Sequence, residues 1–123
     1  MRAESTPSSA DHSLPVVVDR IDSADGVCLH LDVPASLTWF DGHFPSDPIL
    51  PGVAQIGWAI TFARERFGLN ADLTAIERVK FLRTAHPNER LMLELKREKT
   101  AVLWSFSTGG KPLSHGRLTF ETA

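Results

Sequence analysis

Residues 39–67, WFDGHFPSDPILPGVAQIGWAITFARERF, hold the residue types of this chain best suited to acid–base chemistry. His43 stands between Gly42 and Phe44-Pro45, and Pro48 and Pro51-Gly52 follow. An imidazole titrates near neutrality, so a fixed His43 can take up and return a proton at physiological pH. Prolines 45, 48 and 51 each fix φ and lack an N–H, so the segment reads as a stiff, irregular loop and not as helix or central strand. From Pro51 onward the residues favour a helix, with Pro at the first helical position. The first N–H groups of a helix have no intrahelical acceptor, and Gly52 lets that backbone approach a ligand closely. A general base beside free amide donors suits a thioester carbonyl whose oxygen gains charge during reaction.

The elements that must hold this loop follow from hydrophobic spacing. Val53, Ile56, Ile60, Ala63 and Phe67 recur at helical intervals, while Ala54, Trp58, Ala59 and Phe62 make the opposite side apolar too. Formal charge begins only at Arg64-Glu65-Arg66, and a helix apolar on all sides is a buried, central one. Gly68 is placed to cap its end in the left-handed conformation. Before the loop, a short strand from Pro15 to Val18 and an alternating strand at Val27, Leu29, Leu31 and Val33 predict a hairpin, with His30 on its solvated side. After the helix, strands are predicted over 75–83, around Leu91 to Lys96, over 102–107 and over 112–122, separated by a His86-Pro87-Asn88 breaker and a Gly109-Gly110 turn. In the strand over 75–83, simple alternation puts Val79 and Phe81 on one face with Glu77 and Arg83. Two strands, a long helix, then more strands is the α+β order of one antiparallel sheet with a helix packed on it. One sheet cannot cover both sides of that helix, so a protein partner is expected.

Composition sets the outer bounds. The chain has 123 residues, enough for one domain with a single core, expected over 14–123 after a polar, disordered tail at 1–13. Thirteen Lys and Arg against fifteen Asp and Glu give a net charge of -2, which does not suggest a nucleic-acid surface. One cysteine, Cys28, allows no internal disulfide and no cysteine metal cluster, and reads as a small hydrophobe in a strand. A metal site from His43, Asp41 and His86 lacks the spacing of known ligand motifs, and neither metal nor cofactor is expected. The longest apolar run, near Val53 to Ala63, is too short for a bilayer, and the N-terminus has no hydrophobic signal core, so a cytoplasmic protein is expected.

GHFPSDPILPGV resembles the signature loop of the hotdog-fold 3-hydroxyacyl-(acyl-carrier-protein) dehydratases, and the following AQIGWA is most similar to the branch associated with aryl-polyene synthesis. The later IERVKFLRTAHPNERLMLEL is similar to the family's strand, aromatic, basic residue, Pro turn and next strand. The resemblance implies an antiparallel sheet wrapped around one long central helix. It also implies two chains paired edge to edge with active sites at their interface, hence at least a homodimer. In the resembled family the matching histidine, His43, removes the C2 proton of a 3-hydroxyacyl thioester, and the Gly52 N–H polarises the carbonyl. Phe44, Ile49, Pro51, Val53 and Trp58 are candidates to line the acyl tunnel, with core packing the alternative for Phe44, Ile49 and Trp58. An acidic acyl-carrier protein, or coenzyme A, would be the thioester carrier, and Arg64, Arg66, Arg78, Lys80 and Arg83 are candidate contacts for it or ordinary solvated residues.

One departure decides what the resemblance can carry over. The family's helix Glu or Asp lies fourteen positions after the histidine, where this chain has Gly57. Glycine cannot donate a proton, and mid-helix it costs about 1 kcal/mol relative to Ala. Three explanations stand open. A water or another side chain replaces the acid, with Gln55 as a possible orienter and Asp41 or Asp47 as possible donors. A second hotdog subunit supplies it. Or dehydration is lost and the chain is a noncatalytic subunit that binds a thioester or a catalytic partner. A thioesterase on the same fold is a further alternative, and it too would usually need the missing carboxylate.

Overall fold

Alternation in the strands decides which side of the sheet becomes core. The computed structural model describes residues 13–40 and 48–121. In it, β1 (Val16–Asp22), β2 (Gly26–Asp32), β3 (Leu73–Phe81), β4 (Arg90–Glu98), β5 (Ala101–Thr108) and β6 (Lys111–Phe120) form one sheet. The order across it is β1-β2-β4-β5-β6-β3, antiparallel at every pairing. Leu29 and Leu31, Leu91, Leu93 and Leu95, Val102, Trp104 and Phe106, and Leu118 and Phe120 all point to one face and are buried. On that face lies the helix α1 (Gly52–Phe67), which turns Ala54, Gln55, Trp58, Ala59, Phe62 and Ala63 toward the sheet. This is the antiparallel sheet with a packed helix that the alternation and the element order predict, and the hotdog architecture that the resemblance implies.

The helix ends are set by backbone chemistry. Pro51 is extended (φ -61°, ψ 149°) and acts as the N-cap, so the helix opens at Gly52, one residue later than expected. Its carbonyl accepts from Ala54 N and Gln55 N. At the other end Gly68 adopts the left-handed conformation (φ 62°), as its position predicts. Arg64 donates to the carbonyls of Leu69 and Ala71, and Arg66 reaches the Gly26 and Ser23 carbonyls and the Asp22 carboxylate. These two arginines tie the last helical turn to the loop after it and to the β1–β2 turn. The hydrogen bond from Arg20, with Arg66 adding to it, holds the Asp22 carboxyl below its ordinary range.

Two expectations change. β1 runs on to Asp22, because the charged residues of its second half bond to α1 and to each other while their backbone stays paired with β2. In β3, simple alternation places Phe81 on the face of Glu77, and the structure places it with Ile76 instead. The ladder slips between Glu77 and Lys80, with Arg78 at φ 57° inside the bulge. A bulge adds one residue and reverses the in–out phase beyond it. Ile76 therefore pairs with buried Leu118, and Phe81 pairs with buried Ser114.

Gln55 and the core aromatics occupy the sheet side of α1; the other side is open. Val53 is 68% exposed, and Ile76, Phe81 and Leu82 on and just after edge strand β3 are exposed as well. The opposite edge, β1, exposes Val16, Val17, Val18 and Ile21. Among the described residues no helix is long and apolar enough to cross a membrane.

Candidate active site

The N-terminal turn of α1 is the centre of the site, and three contacts fix it. Leu50 N donates to the Ala85 carbonyl at 2.7 Å, which fastens the chain before Pro51 to the segment after β3. Pro51 cannot donate and caps the helix with its carbonyl, leaving the Gly52 and Val53 N–H groups without intrahelical acceptors. The Phe81 ring then lies over Gly52. A Cβ on Gly52 would sit 2.6 Å from Phe81 Cζ and 2.8 Å from Cε1, so only glycine lets the ring and the backbone meet. Phe81 was not among the site residues expected from sequence. The available signal was its place as the aromatic of IERVKF, but the β3 bulge, which alternation does not show, is what turns it toward the helix.

Gly57 lies on the open side of α1. A Cβ there would meet no atom within 4 Å, so the missing side chain leaves space and not a packed contact. Val53, one turn before Gly57, shares that side. Gln55 is two residues from Gly57, about 200° around the helix. It is 2% exposed, and its Oε1 accepts from Ser114 Oγ at 2.6 Å. Trp104 Nε1 donates to the same Ser114 oxygen at 3.4 Å. The structure thus joins Gln55 to β6 and does not bring it to Gly57. Trp58 is likewise a core residue: it is 1% exposed and packs edge-to-face on Phe106 with centroids 6.4 Å apart. Ile49 and Pro51 are half-buried beside the helix start.

His43, Phe44, Asp41 and Asp47 lie outside the described residues. The last described residue before them, Phe40, ends a short 3₁₀ turn, Thr38–Phe40, so the chain leads into residues 41–47 from a hydrogen-bonded base. Among the described residues, no group of three or more His, Cys, Asp or Glu side chains could hold a metal ion. Of the basic residues named from sequence, Arg64 and Arg66 are engaged at the helix end, whereas Arg78, Lys80 and Arg83 are exposed along β3 and just beyond it. Cys28 lies half-buried on the outer sheet face, where burial pushes its thiol up from the ordinary value.

This chain is similar to known proteins over most of its length. The sequence model of the ApeI-like family, described as ApeI dehydratase, matches residues 19–117. A 3-hydroxyacyl-(acyl-carrier-protein) dehydratase FabZ of Levilactobacillus brevis is 30% identical over 118 residues, covering 86% of this chain and 80% of that protein. Among solved structures, the dehydratase heterocomplex ApeI:P from Xenorhabdus doucetiae superposes with a TM-score of 0.83 at 28% identity, covering 89% of this chain and 99% of that one. Zebra fish thioesterase superfamily member 2 shares the fold, with a TM-score of 0.59 at 16% identity over 83% of this chain and 78% of that one.

Proposed function

The chain belongs to the ApeI-like dehydratase family, and on that premise we propose that it removes water from a 3-hydroxyacyl thioester, with the acid supplied by a second hotdog subunit. The observation that carries this reading is the Gly52 amide, presented at a helix N-terminus against Phe81, on the helix that has open space at Gly57.

In this mechanism the thioester oxygen sits against the Gly52 N–H. The Phe81 ring packs on the Cα side of Gly52, and a hydrogen bond to a developing oxyanion is stronger where apolar groups replace water. The His43 imidazole removes the C2 proton and forms the enolate. The C3–O bond then breaks as the leaving hydroxyl takes up a proton, which gives the 2,3-unsaturated thioester and water. Gly57 cannot give that proton. The space beside it admits a carboxylic acid from outside the chain, and the uncovered side of α1 with the exposed β3 edge is where a second hotdog subunit fits. The Xenorhabdus relative, described as a heterocomplex, supports a non-identical partner over a homodimer. Phe44, Ile49, Pro51 and Val53 are assigned to the acyl-chain wall. Arg78, Lys80 and Arg83 face an acidic carrier protein, with coenzyme A as the alternative carrier. The cytoplasm is the proposed compartment, in keeping with a single free thiol.

Intact mass spectrometry of a 3-hydroxyacyl carrier protein, incubated with the assembled protein, tests the reading. The wild type with its partner removes one water, His43→Ala with the same partner removes none, and Gly57→Glu removes water without a partner. Water loss unchanged in His43→Ala would exclude the mechanism. No loss by wild type under any pairing, with loss restored in Gly57→Glu, would identify a noncatalytic subunit on a dehydratase scaffold. Release of the free acid in place of the unsaturated product would identify a thioesterase.

A further inference from the structure

One backbone carbonyl at the start of the described chain holds two indoles. Ser13 O accepts from Trp39 Nε1 and from Trp58 Nε1, each at 2.7 Å, across 26 and 45 residues of sequence. A carbonyl oxygen has two lone pairs, so the two donors saturate it. Ser13 belongs by composition to the polar tail, yet it is fixed here, and Leu14 beside it packs on the core.

What the carbonyl joins gives it a role beyond satisfying two N–H groups. Trp58 follows Gly57 directly and is braced by Phe106, so its indole is a fixed post rising from the centre of α1. Trp39 is the middle residue of the 3₁₀ turn Thr38–Phe40, which is held by Leu37 N to Pro34 O at 3.2 Å and Phe40 N to Leu37 O at 3.1 Å. Phe40 is the residue from which the chain continues to 41–47. The shared oxygen therefore ties the 3₁₀ turn Thr38–Phe40 to the helix that carries Gly52 and Gly57.

We propose that Trp39 and Trp58 are positioning residues for the dehydration assigned above, acting through the Ser13 carbonyl they share. The inference rests on that functional reading. A single neutral hydrogen bond contributes only about 1 kcal/mol to stability. A misplacement of about 1 Å in a reacting group can cost a hundredfold in rate. Loss of one indole N–H should therefore affect turnover far more than folding.

The test uses Trp39→Phe, Trp58→Phe and the double variant in the assembled protein, with Trp104→Phe as control because that indole bonds to Ser114 and not to Ser13. Trp39→Phe should lower kcat about tenfold or more with KM within about twofold of wild type. The double variant should have a kcat close to that of the weaker single, because both bonds act through one atom. Trp104→Phe should retain the wild-type kcat per folded molecule. Wild-type kcat in Trp39→Phe, or a loss that only follows the folded fraction, would overturn the proposal while a silent His43→Ala kept the functional reading intact. Absence of water loss in wild type would end both.

Discussion

Ser114 Oγ donates to Gln55 Oε1 at 2.6 Å, and both side chains are buried. This bond joins the helix that carries the site to strand β6, and Trp104 adds its indole N–H to the same hydroxyl. It is a buried polar contact between α1 and an otherwise apolar sheet face.

Ser114→Ala leaves the Gln55 carbonyl and the Trp104 N–H without this partner in the core. The expected loss is about 1–3 kcal/mol, since a buried polar group left unpaired bears its full desolvation cost. Gln55→Leu combined with Ser114→Ala should lose less than the sum of the single changes, because the pair is removed together. Urea unfolding midpoints of the three variants against wild type measure this, and strict additivity would mean the two side chains are not coupled.

Gly52→Ala places a methyl group where the Phe81 ring now lies. Phe81 is 49% exposed and can swing outward, so stability should change by no more than about 1 kcal/mol. The ring then no longer packs on Gly52, and turnover should fall about tenfold as water reaches the oxyanion contact. Phe81→Ala should give a similar fall, and the double variant should fall little further. Rates of water loss, read beside melting temperatures, separate this from simple misfolding.

Ile76→Lys puts a charge into the exposed apolar surface of edge strand β3, next to the open side of α1. If that surface is the assembly interface, sedimentation should show the single chain in place of the complex. Val18→Lys makes the same change on the β1 edge and should leave both the assembly and, within about 0.5 kcal/mol, the stability of the chain as they are. An assembly that resists Ile76→Lys and is lost with Val18→Lys would place the interface at β1 instead.

The sheet, the helix and the family can be read from the residues alone. Alternation at Leu91, Leu93 and Leu95, and at Val102, Trp104 and Phe106, leaves no other buried face, because side chains in a strand alternate strictly. Gly68 and the Gly109-Gly110 turn were legible because left-handed backbone selects glycine. Gly57 was legible as a departure, since a missing carboxylate is visible in a string of letters. Tertiary structure alone decided the rest. The bulge at Arg78 reversed the phase of β3 and brought Phe81 onto Gly52, and a bulge leaves no periodic trace in so short a strand. Gln55 and Gly57 are two residues apart in the chain yet lie on opposite sides of the helix, and the packing of α1 on the sheet shows which side is core. Ser13 looked like tail because its side chain has no apolar character. Its carbonyl is what the fold uses, and every residue has one, so nothing in the sequence marks it.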